Sequence, residues 1–192
     1  MNNEFTPGES LRLITNMIEK TRKGISDSSP YFLIWGWGTF LACISEFILK
    51  VYIHSPYYYC VWLILIPCAI LSAVIGARTR KIHKVRTYLS DTMKLLWSAL
   101  GITFFVMIII FSKIGWQYCY PFFIMLYGLG TFISGKLVKF TPLVAGGIIC
   151  WVLAIVASYL SYNYQLLATA AALLVSYIIP GHLLRLKFKN QD

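Results

Sequence analysis

The sequence predicts an all-α protein: an integral membrane six-helix bundle built from three helical hairpins and preceded by a cytoplasmic amphipathic helix. Three observations carry this. Of 192 residues, 58% are hydrophobic and only 12% are charged, a balance far from soluble composition. Six apolar runs come close to the roughly 20 residues that a helix needs to cross a bilayer core of about 30 Å. The bases are also segregated: 15 of the 17 Lys and Arg fall in the N-terminal segment, at the second and fourth links or in the tail, leaving only Lys50 and Lys113 for the opposite side. That asymmetry places both termini in the cytoplasm, which requires an even number of spans. Residues 1–29 then form a helix and link, and 30–192 the bundle.

Thr6-Pro7-Gly8-Glu9 has the form of a capping box with proline at the first helical position. A helix follows to about Lys23, where Gly24 stops it. Leu11, Ile14, Met17 and Ile18 make one apolar stripe, so this helix lies on the membrane or against the bundle, or docks a soluble partner.

The first span is expected over 31–49, with Ser29 as cap and Pro30 at the first helical position. Gly38, Ala42 and Glu46 share one of its faces, and small residues there let another helix approach. Glu46 is the only acidic residue within any span. It lies roughly 22 Å along the helix. An intramembrane carboxylate is costly unless paired or protonated, so it is either a structural partner or a proton- or ligand-linked group.

The second span is expected over 57–77, kinked at Pro67. Cys68-Ser72-Gly76 and Ala69-Ala73-Ala77 form small-residue rows on it. Its helix should continue into the basic stretch 78–94. Ser90 is the expected cap for the third span, 95–112. The remaining spans are expected over 118–135, 140–162 and 165–186. Gly146, Cys150, Ala154 and Ser158 form a row on the fifth, and Pro180-Gly181 loosens the sixth. Each outer turn is rich in tyrosine, which suggests a threefold repeat of a two-span unit or an ordinary interfacial belt.

Glu46, His54 and Lys113 map to the outer side, among Tyr52, Tyr57, Tyr58, Tyr59, Trp62, Trp116, Tyr118 and Tyr120. Glu46, His54, Lys113, Tyr58 and Tyr118 are therefore the candidates for a ligand- or proton-linked site. The alternative is an aromatic belt with Glu46 paired to Lys113. Cys60 and Cys119 both lie at outer helix ends and could bridge there; the other reading leaves them as free small residues. Cys43, Cys68 and Cys150 read as packing residues. The cysteines and histidines lack metal-ligand spacing, and no catalytic signature occurs. An enzyme and a cofactor are thus not expected. The net charge of +10 follows from topology and anionic lipid headgroups, so the expected partner is the lipid bilayer and not nucleic acid.

The opening ESLRLITNMIEKTRKG and the span start YFLIWGWGTF resemble a family of small uncharacterised bacterial inner-membrane proteins. The resemblance covers roughly residues 9–42 and, loosely, the six-span layout. It implies a bacterial inner (plasma) membrane. Such proteins are associated with genes for small winged-helix regulators, which implies a cytoplasmic regulatory protein as partner. The function expected is a non-enzymatic membrane sensor or interaction protein, or alternatively a small transporter coupled to protons through Glu46.

Residues 1–24 are expected to be peripheral to the bundle. Deleting them leaves insertion and the melting midpoint in detergent unchanged; loss of insertion would show that this segment is integral.

Overall fold

A computed structural model describes residues 29–82 and 88–189. The amphipathic helix expected over 6–23 lies outside them. The structure is 92% helix, with no strand among the described residues. Six of the helices are long and apolar enough to cross a membrane. They are numbered spans 1–6 below.

Span 1 is α1, Ser29–Val51. Ser29 does not simply cap it. The Ser29 hydroxyl donates to the Gly181 carbonyl at 3.0 Å and so ties the start of span 1 to the end of span 6. Span 2 begins as a 3-10 helix, Tyr58–Ile64, and continues as α2, Leu65–Ile82. The irregularity expected at Pro67 is present, but it precedes the proline. Pro67 cannot donate to the carbonyl four residues back, and the tighter 3-10 winding lies just where that bond is missing. The helix does continue past Arg78, as expected.

Span 3 is α3, Tyr88–Ile114, which places Ser90 inside the helix and not at its cap. Gly115 follows at φ 108°, a left-handed conformation that favours glycine. A 3-10 turn, Trp116–Tyr118, then leads into span 4, α4, Cys119–Val138. Lys139 stops α4 at φ 53°. Its N–H donates to the Lys136 carbonyl at 3.3 Å, and that of Phe140 to the Gly135 carbonyl at 2.9 Å. This is a Schellman stop with lysine in the usual glycine place. Span 5 is α5, Thr141–Ser158, with Pro142 in its first turn.

Span 5 ends four residues before the expected boundary. Span 6 starts at Tyr162, three residues before the expected Gln165, as α6, Tyr162–Leu173. The Gln165 side chain reaches back to the Leu160 carbonyl at 3.0 Å and closes this turn. After α6 comes a π-helical turn, Leu174–Ile178, and then α7, Ile179–Lys189. The π turn has a local cause. Pro180 has no N–H for the Ser176 carbonyl, so the winding can widen there.

The largest helix–helix interface joins spans 4 and 5, which the three-hairpin reading assigns to different hairpins. A Cβ added to Gly128 would lie 2.9 Å from the Gly147 carbonyl oxygen, and one on Gly147 would lie 2.8 Å from that of Gly128. The two backbones touch because neither helix carries a side chain at the crossing. Span 6 is the most buried span and span 2 the least. Gly146 of span 5 meets Ser176, and Gly38 of span 1 meets Cys68. Cys68 and Gly76 therefore face span 1, whereas Ala69, Ala73 and Ala77 are exposed. A second focus is Tyr177, whose ring lies 5.5–6.1 Å from those of Phe32, Trp97 and Tyr127. It joins spans 1, 3, 4 and 6.

Gly147→Val is expected to lower stability by at least ~2 kcal/mol, because backbone on the facing helix cannot yield. Thermal unfolding in detergent measures this, with the exposed Gly101→Ala as control. Equal midpoints for Gly147→Val and the wild type would remove the glycine contact as the basis of this interface.

Candidate functional site

Glu46 is 1% exposed, the most deeply buried of the charged side chains described. The four-residue face read from the sequence explains this, since Gly38 and Ala42 are buried with it. Its carboxylate meets three donors from three other spans. The Trp62 indole N–H donates to Oε2 at 2.7 Å, and the Tyr120 hydroxyl donates to the same oxygen at 2.9 Å. The Tyr162 hydroxyl donates to Oε1 at 3.3 Å. The two tyrosine hydroxyls lie 3.5 Å apart. Trp62 and Tyr120 stack at 6.4 Å, and Tyr120 and Tyr162 are tilted at 5.3 Å.

Each donor is placed by a local irregularity. Trp62 sits in the 3-10 opening of span 2. The 3-10 turn 116–118 leaves Tyr118 exposed and turns Cys119 and Tyr120 inward. The early start of α6 makes Tyr162 its first residue, half-buried and within reach of the carboxylate.

Lys50 lies one turn beyond Glu46 on the same helix, a spacing at which Glu and Lys commonly pair. It does not pair here. Its ammonium lies 3.6 Å from the Tyr162 ring centroid and 5.0 Å from that of Tyr58. The only ion pair among the described residues is Lys94–Asp91, exposed and far from this site.

The structure therefore brings two of the five candidates, Glu46 and Tyr58, to one place. His54 is exposed in the link at φ 55°, its Nδ1 3.3 Å from the Tyr52 carbonyl oxygen. Lys113 and Tyr118 are exposed as well. The Glu46–Lys113 pair is not formed: the carboxylate turns into the bundle, and neutral donors fill its coordination. Cys60 and Cys119 are both free. They are not bridged, because the 3-10 segment leaves Cys60 exposed while Cys119 is buried in the core. The sequence places Trp62 and Tyr120 only among the surroundings of the candidates, and Lys50 and Tyr162 outside them. The i+4 spacing of Lys50 from Glu46 and the tyrosine in each outer turn were the signals that could have found them. Among the described residues no three His, Cys, Asp or Glu side chains group as metal ligands.

No family model, curated protein or solved structure matches the chain, so nothing beyond its own geometry bears on what this site does.

Glu46→Ala strands three donors and is expected to cost about 3 kcal/mol, since each buried donor left without an acceptor costs about 1–3 kcal/mol and the two tyrosines can partly re-pair. Glu46→Gln keeps one acceptor oxygen and is expected to cost about half as much. Thermal unfolding of both variants in detergent checks the order; wild-type stability in Glu46→Ala would sink this account of the site.

Proposed function

We propose that the chain is a polytopic membrane protein of the bacterial inner membrane, with both termini in the cytoplasm, and that it works as a non-enzymatic sensor or interaction protein. One observation carries the reading: Glu46, the one buried acidic side chain among the described residues, is occupied by three donors. A carboxylate so engaged ties helix ends together and does not line a passage. The strong basic bias supports the orientation. In this reading the three hairpins form the membrane scaffold, and the N-terminal amphipathic helix with the 78–94 stretch offers the contact surface for a cytoplasmic regulatory protein.

A small transporter coupled through Glu46 is the second reading. The π-helical turn Leu174–Ile178 in the most buried span favours it, because such turns allow a helix to rewind.

Flux in proteoliposomes under a pH gradient separates the two. The sensor reading expects the gradient to decay at the same rate with wild-type protein as with Glu46→Gln. Decay that is about tenfold faster with the wild type would overturn it in favour of transport.

A further inference from the structure

The Lys50 ammonium is held in an unusual way for a lysine one turn from a glutamate. Neither charge takes the other within ion-pair distance. Glu46 has spent its oxygens on Trp62, Tyr120 and Tyr162, whereas Lys50 rests on the ring faces of Tyr162 and Tyr58. Ring faces carry the negative side of the aromatic quadrupole and attract cations. Together with the Glu46 carboxylate, to which Tyr162 donates, they make a surface of negative character around Lys50, which is only partly buried.

We propose that Tyr58, Tyr162 and Glu46 form a recognition site for an organic ammonium ion, and that the ammonium of Lys50 fills this site as a built-in surrogate ligand. The chemistry selects this class over the others. An anion would meet the negative ring faces, and the Trp62, Tyr120 and Tyr162 donors are already given to Glu46, which leaves it only the Lys50 ammonium and the Tyr58 hydroxyl. A divalent metal ion needs about six oxygen ligands, and here two carboxylate oxygens are already engaged. A quaternary or primary ammonium needs only ring faces and a nearby negative charge. Lys50 can leave, because its charge sits on a flexible four-carbon stem at the last turn of span 1, from which it can extend to the interface. The site then has two states: closed by its own lysine, or open to an external cation. This inference rests on neither function reading. A sensor and a transporter would both use such a site, and binding is measured apart from flux.

The test uses full-length protein in detergent, with tetramethylammonium chloride as probe and sodium chloride at equal ionic strength as control. Tryptophan fluorescence and the melting midpoint are the readouts. Lys50→Ala vacates the rings, and it is expected to bind tetramethylammonium at least about tenfold more tightly than the wild type. In the Lys50→Ala background, Tyr162→Phe keeps the ring and retains that binding, whereas Tyr162→Leu removes the ring face and weakens it about tenfold. Should Tyr162→Leu fail to fold, Tyr58→Leu serves instead, since Tyr58 has no bond to Glu46. Lys50→Ala binding no more tightly than the wild type, or binding unchanged by loss of the ring, would overturn the proposal.

Discussion

The structure depends on one buried carboxylate. Leaving Glu46 unsatisfied in an apolar bundle would cost more than most single contacts can return. Three neutral donors meet that cost, and each comes from a different span. Spans 1, 2, 4 and 6 are thereby brought to a common point at one end of the bundle. The irregular openings of spans 2 and 4 and the early start of span 6 all serve this convergence. A regular helix through 57–77 or 118–135 would present a different set of side chains.

At the other end and mid-depth, the bundle is held by contacts that carry no charge. Spans 4 and 5 meet through glycine, where dispersion between close backbones replaces side-chain interdigitation. Tyr177 packs among three aromatic rings from three other spans, within the π-helical turn of span 6. Its buried hydroxyl has no hydrogen-bond partner. This end is thus secured by shape together with the Ser29–Gly181 hydrogen bond, and the Glu46 end by hydrogen bonds to a carboxylate. Lys50 connects the Glu46 end to the surroundings, since its partly buried ammonium lies over the aromatic ring of a Glu46 partner. A sensor that reads a small cation and a transporter that carries one would both begin at this lysine.

Much of this was legible in the chain alone. Six apolar runs, their approximate limits and the all-helical class follow from hydropathy, because a helix satisfies its own backbone without help from neighbours. The inward face of span 1 follows from the spacing of Gly38, Ala42 and Glu46. The continuation of span 2 past Arg78 follows from its apolar spacing. Glu46 as the centre of the site follows from its being the only acid within the spans that the sequence predicts. These are properties of one helix at a time, and a single sequence encodes them locally.

What only the tertiary structure decided are the partners. Lys113 and Glu46 share a side of the sequence map but not a contact, because depth along a span does not specify which face a residue takes once the entry turn is 3-10. Tyr118 and Tyr120 differ only in which side of such a turn they fall on, and one is exposed while the other is buried. Tyr162 reaches the site because span 6 begins there and not at Gln165, whose side chain donates to the Leu160 carbonyl in the preceding turn. The preference of span 4 for span 5 lies in glycines whose importance appears only when a facing backbone fills the space. Hydropathy reports transfer into an apolar medium, a property of each segment. Pairing between segments is set by shape and hydrogen-bond direction, which depend on all six at once.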